Sequence, residues 1–142
     1  MAKPPPRAVV RAVTGLARFL YRASGGRIGG SIKGAPVLLL TTAGRQTGKP
    51  RTSPLLYLRD GEALVVVASF AGSDRHPAWF LNLEANPGVR VRIGKEPEKA
   101  MRARRATPQE KERLWPRVIE AYDGYAAYQQ KTARQIPLVI LE

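Results

Sequence analysis

Apolar and polar positions change period several times along this chain. From Arg7 to Ala23, Val9, Val13, Leu16 and Leu20 gather on one side of a helical wheel. Arg7, Arg11, Arg18 and Arg22 form a stripe on another side, within roughly 60° of one another at ~100° per residue. Gly25-Gly26 ends this predicted helix. Gly29 to Gly34 reads as a loop. Short apolar runs follow, predicting strands over Val37 to Thr42, Thr52 to Arg59 and Ala63 to Ser69. Pro54 places the second at an edge or bulge, and Asp60-Gly61 marks a hairpin turn. Ala71 to Asp74 reads as a loop, and His76-Pro77 opens a short helix, Ala78 to Ala85, ended by Asn86-Pro87.

Val89 to Ile93 alternates strictly, as a half-exposed strand does, and Lys99 to Ala106 reads as another. Thr107-Pro108-Gln109-Glu110 is a capping box with proline at the first helical position. It predicts a helix to about Tyr122, then a second from Gly124 to Arg134, and Ile136 to Leu141 as a closing strand. Short turns between the early strands favour antiparallel pairing. The expectation is one α+β domain over residues 1–142, built on a small, partly open β-barrel.

Charge adds a direction. The formal net charge is +13. The first acid is Asp60, and before it lie Lys3, Arg7, Arg11, Arg18, Arg22, Arg27, Lys33, Arg45, Lys49, Arg51 and Arg59. Such a field attracts polyanions: nucleic acid, anionic lipid or an anionic cofactor. No helix-turn-helix or stacking-aromatic signature supports nucleic acid. The basic helix over residues 7–23 suits an anionic membrane surface, or else packs on the domain with a solvated basic face. No apolar run reaches the ~18 residues of a membrane span. Arg11 and Arg18 interrupt the one apolar stretch near the N-terminus, which argues against a signal peptide. There is no cysteine, which removes thiol catalysis and disulfides and fits a reducing cytosol.

The chemistry-bearing motif is Gly44-Arg45-Gln46-Thr47-Gly48-Lys49-Pro50-Arg51, three cations and two glycines between two apolar runs. Backbone N–H groups and guanidinium forks at such a turn suit a phosphate or carboxylate. It falls one residue short of a P-loop, carries Pro50 where a hydroxyl residue belongs, and precedes a strand, so triphosphate hydrolysis is not expected. His76, the only histidine, reads as part of a helix start. Trp79, Phe80 and Leu83 share a helix face with Asn82 beside it, as core or as a wall against a planar ring. Tyr122, Tyr125 and Tyr128 recur every third residue and would line one face if Gly124 does not break the helix. No nucleophile triad, carboxylate pair or metal-ligand cluster appears, so demanding chemistry would belong to a bound cofactor.

These motifs, in order and at matching spacing, resemble the deazaflavin-dependent nitroreductase family, whose members use the reduced 8-hydroxy-5-deazaflavin coenzyme F420. The residues that carry the resemblance are Leu39 to Arg51, Pro54-Leu55, Ala68-Ser69, His76 to Trp79, Asn82-Leu83 and Ala85 to Pro87, with the tyrosine triplet and Ile136-Pro137. The resemblance implies a split β-barrel and hydride transfer to a quinone, a nitroaromatic or a similar acceptor. It implies that Arg45, Gln46, Thr47, Gly48, Lys49 and Arg51 hold the coenzyme's acidic tail. Pro54, Leu55, Val67, Ala68 and Ser69 would run beside the ring, and Trp79 and Asn82 would close its other side. Tyr122, Tyr125 and Tyr128 would line the acceptor pocket, with Ser69 opposite. Gln46-Thr47 replaces a Lys-Ser pair common in relatives, and Phe70 a basic residue found in some. A flavin-binding split barrel and a non-catalytic membrane-binding module are the alternatives. The oligomeric state is left open.

Overall fold

A computed structural model describes residues 31–32, 35–122 and 124–142. The helix expected over Arg7 to Ala23, with its membrane role, lies outside the described residues.

Among the described residues seven antiparallel strands carry the fold. They are β1 (Ser31–Ile32), β2 (Ala35–Ala43), β3 (Pro50–Asp60), β4 (Ala63–Val67), β5 (Gly88–Arg92), β6 (Lys99–Arg105) and β7 (Leu138–Leu141). β1 is a correction to the expected loop: Ser31 pairs with Pro36 and Ile32 with Ala35. The order is β1-β2-β3-β4-β7-β6-β5, and β2 also pairs with β5. That last pairing, Leu39 with Arg92 and Thr41 with Arg90, closes a six-stranded barrel. Among the described residues three helices flank it: α1 (Ala78–Ala85), α2 (Pro108–Ala121) and α3 (Gly124–Gln130).

Alternation sorts most strand side chains between two main cores, with Val37 and Leu39 in a small third cluster against Leu56. Leu38, Leu40, Leu64, Val66, Val89, Val91, Ala103, Val139 and Leu141 point into the barrel. Trp79, Phe80 and Leu83 of α1 join that interior. The opposite faces of β4 and β7, through Val65, Val67, Leu138 and Ile140, pack on Leu114 and Val118 of α2 and Tyr125 of α3. Both faces of β4 and β7 are thus buried, which is why they read as continuous apolar runs.

β3 makes the barrel a split one. Its first part, Pro50 to Leu56, pairs with β2. Only Tyr57 to Asp60 pair with β4. Along Pro50 to Leu56 the β4 side of the strand has no ladder partner among the described residues. Proline, which lacks an N–H, is tolerated on such a one-sided stretch, and Pro54 sits there. The Gly61-Glu62 loop joins Asp60 to Ala63, one residue later than the expected turn, with Gly61 at φ +61°. β4 ends at Val67 rather than Ser69 because its partner β7 ends there, at Leu138. The Ala68 N–H then donates to the Pro137 carbonyl at 3.0 Å, and the chain enters a 3₁₀ turn over Phe70–Gly72.

Candidate functional site

The basic stretch is the β2–β3 turn. Its backbone folds on itself: the Gly44 N–H donates to the Lys49 carbonyl at 2.8 Å and the Gly48 N–H to the Gly44 carbonyl at 2.7 Å. Gly48 takes φ +72°, a region open to glycine at no steric cost. The Lys49 N–H reaches the Thr47 Oγ1 at 3.3 Å.

Asn82 pins this turn from below. Its Oδ1 accepts from the Arg45 backbone N–H at 3.2 Å and from Arg45 Nη1 at 2.9 Å. Its Nδ2 donates to Thr42 Oγ1 at 3.2 Å. Asn82 is only 3% exposed, so its amide is spent on holding the turn. Trp79 likewise packs in the barrel, edge-on to Phe80 with ring centroids 6.3 Å apart.

Arg45, Lys49 and Arg51 are exposed, and none makes an ion pair among the described residues. Elsewhere among the described residues four cations find carboxylates. Arg104 meets Glu110 at 2.7 Å and Glu142 at 2.8 Å, Arg113 and Arg117 meet Asp60 at 2.8 and 3.0 Å, and Arg90 meets Glu98 at 3.3 Å. Positive charge is therefore left uncompensated at the turn where the split begins.

From Arg51 the chain runs along β3, past Pro54 and the half-buried Leu55, to Leu56. At ~3.3 Å per residue that is roughly 17 Å. Leu56, Tyr57, Val67, Val118, Tyr122 and Tyr125 then line a narrow apolar crevice of about 20 Å³ between β3, β4 and the helices. The structure thus brings Val67 and two of the three tyrosines together at one end of this path, with the cations at the other.

The tyrosines do not share one helix. Tyr122 is the C-cap of α2, and α3 starts at Gly124, where a Cβ would meet the Tyr122 ring at 2.8 Å. They still form a cluster, Tyr122 to Tyr125 at 5.1 Å and Tyr125 to Tyr128 at 6.1 Å, both edge-on. Tyr125 is 8% exposed and belongs to the helix-facing core. Burial pushes its phenol pKa well up, and a hydrogen bond with Tyr122 raises that of Tyr128. Both phenols stay protonated near neutral pH, as donors should.

Sequence reasoning missed Arg134. Its guanidinium donates to the carbonyls of Ser69 at 2.7 Å, Ser73 at 2.8 Å and Ala68 at 3.2 Å. It also donates to His76 Nδ1 at 3.2 Å; arginine only donates, so that nitrogen accepts. No periodicity marks Arg134, because its partners lie far back in the chain. His76 meanwhile packs on Phe80, ring centroids 4.8 Å apart, while Pro77 takes the N-cap of α1. Burial first, then the Arg134 and Arg105 charges, hold its pKa below the usual value.

Among the described residues no group of His, Asp or Glu side chains could hold a metal ion. No described helix is long and apolar enough to cross a membrane.

Known proteins share this sequence and fold. The family model described as F420H(2)-dependent quinone reductase matches residues 15–142. A Mycobacterium tuberculosis protein named F420H(2)-dependent quinone reductase is 44% identical over 127 residues, covering 86% of this chain and 84% of its own. A solved structure titled F420-H2 dependent reductase (FDR-A) is 40% identical with a TM-score of 0.69, covering 75% of this chain and 94% of that one. Another, described as a domain-swapped dimer, is 36% identical with a TM-score of 0.70 over 97% of this chain and all of its own. The chain belongs to the family of F420H(2)-dependent quinone reductases, enzymes whose reductant is the reduced deazaflavin coenzyme F420.

Proposed function

We propose that this chain carries hydride from reduced coenzyme F420 to a quinone across the split of the barrel. One observation carries the reading: three cations without carboxylate partners among the described residues stand on a pinned turn where the ladder between β3 and β4 is open. A polyanionic tail fits that turn by charge. Arg45, Lys49 and Arg51 supply it, and Gln46, Thr47 and Gly48 add short polar or backbone contacts.

When bound, the coenzyme supplies the hydride; the chain supplies place and polarity. Pro54 and Leu55 form one side of the ring site, and Val67, Ala68 and Ser69 the other. Asn82 supports the turn from within the barrel, and Trp79 packs in the barrel interior. Tyr122, Tyr128 and Ser69 offer hydroxyl donors to the oxygen that gains charge during reduction. Tyr125 packs behind them. The apolar lining of Leu56, Tyr57, Val67 and Val118 suits the face of a planar quinone, which enters this crevice of about 20 Å³ as its side chains part. Nitroaromatics share that planarity and an acceptor oxygen, and are proposed as alternative substrates.

The test is a fluorescence titration of the purified chain with micromolar F420, followed by oxidation of the reduced coenzyme with menadione and then with a nitroaromatic. Binding and turnover are expected, and a flat titration sinks the reading. In K49A/R51A the Kd should rise roughly tenfold at low salt, about 1.4 kcal/mol, and by less at high salt. Unchanged affinity in that variant moves the anion site elsewhere.

A further inference from the structure

The chain between Ala68 and His76 bends sharply. Phe70 is the one non-glycine residue with positive φ among the described residues, at +45°. A bulky side chain rarely adopts that region unless the surroundings impose it. Arg134 is placed to impose it. Its three carbonyl partners, Ala68, Ser69 and Ser73, bracket Phe70 on both sides, and its fourth acceptor is His76. Without this shared donor the Ser69 carbonyl would keep the Gly72 N–H, but nothing would draw the Ala68, Ser69 and Ser73 carbonyls together.

The arginine forms no carboxylate pair there. Asp74, the nearest acid in the loop, accepts instead from Thr132 Oγ1 at 2.7 Å. Arg134 is itself held. Gln129 of α3 donates through Nε2 to the Arg134 carbonyl at 2.8 Å and accepts through Oε1 from the Ile136 N–H at 2.9 Å. The segment that follows the tyrosine helix therefore grips the exit of β4.

We propose that Arg134 is a positioning residue that holds the strained Phe70 turn, so that Ala68 and Ser69 stand in register with the tyrosines of α3. This rests on the reading that Ala68 and Ser69 flank the coenzyme ring. Arg134 touches neither coenzyme nor acceptor in it; it ties the coenzyme side of the cleft to the acceptor side.

Two measurements test it. The first needs no coenzyme. The Gly72 N–H donates to the Ser69 carbonyl and the Ser73 N–H to the Phe70 carbonyl, each at 3.0 Å. In R134Q both amides should exchange hydrogen at least tenfold faster, while barrel amides such as those of Leu40 and Val66 keep their wild-type rates. Equal exchange at Gly72 and Ser73 overturns the clamp, even if the wild type binds coenzyme well. The second is a cycle of R134Q, F70G and the double variant, read by F420 Kd and by kcat and KM for menadione. R134Q should weaken coenzyme binding about tenfold. Glycine at position 70 removes the need for a clamp, so the loss should shrink to about threefold in the F70G background. An equal loss in both backgrounds overturns the link to Phe70. R134K, which keeps a donor near two carbonyls, should recover part of the affinity, and it replaces R134Q in both measurements if that variant does not fold. A wild-type chain that binds no F420 refutes the site reading, while the exchange result still judges the clamp.

Discussion

A methyl group added at Gly72 would lie 2.7 Å from the Tyr128 carbonyl oxygen and 3.0 Å from its Cα, with φ already at +78°. Both partner atoms are backbone and cannot turn aside. G72A should cost roughly 2–5 kcal/mol, combining left-handed strain with overpacking. Gly48 is the control: φ is +72° but a Cβ there meets nothing within 4 Å. G48A should cost only ~1–2 kcal/mol. Urea unfolding of the two variants decides it, and equal losses would contradict the packing at Gly72. In the sequence both glycines sit in turn-like strings. What separates them is a neighbour contributed by α3, which no local pattern reveals. Asn82 makes the same point. Its place beside an apolar helix face was legible, but its use as the anchor of Arg45 depends on β2 passing underneath.

At the scale of elements the local signals carried well. Thr107 Oγ1 accepts from the Glu110 N–H at 3.2 Å, and Glu110 Oε1 accepts from the Thr107 N–H at 2.9 Å, the reciprocal cap its spacing implied. T107A should lower stability by about 1 kcal/mol in thermal or denaturant unfolding. No loss would mean that Arg104, which also holds Glu110, fixes the helix start without the cap. Pro116 lies inside α2, exposed and lacking an N–H, yet the helix continues because Leu114 and Val118 on either side are buried. α3 is shorter than expected, ending at Gln130 rather than Arg134. The Lys131 N–H turns back to the Tyr128 carbonyl at 3.2 Å, and Thr132 then bonds Asp74 across the loop. That early stop frees Arg134 to reach Ala68 and Ser69. The tyrosine triplet was expected to line one face only if Gly124 left the helix unbroken; the helix does break there, and the cluster that bridges the two helices comes from tertiary packing.

Over the whole molecule, pH tests how charge supports the fold. Asp60 is lowered from 3.8 to about 2, chiefly by the Arg113 hydrogen bond. Glu110 is lowered from 4.5 to about 2, chiefly by Arg104. Both contributions are present above the unfolded values and vanish as pH falls towards 2. His76 also binds its proton less readily folded than unfolded, opposed by burial and by Arg134 and Arg105 and favoured only by Glu84. Its effect has the same sign, and stability should begin to fall as pH drops below 6.5. The thermal midpoint should thus decline in two steps, one below pH 6.5 and a steeper one below about 4.5. H76N should remove the first step; a midpoint flat from pH 7.5 to 5 in the wild type would contradict it. Strand periodicity, the capping box, the hairpin glycine and the cluster of cations around Gly48 were determined by the sequence alone, because each depends on residues within a few positions of one another. Tertiary structure decided that β2 pairs with β5, that β7 enters between β4 and β6, and that Arg134 clasps the exit of β4. Those outcomes depend on contacts between distant segments, whose geometry exists only once both cores have formed.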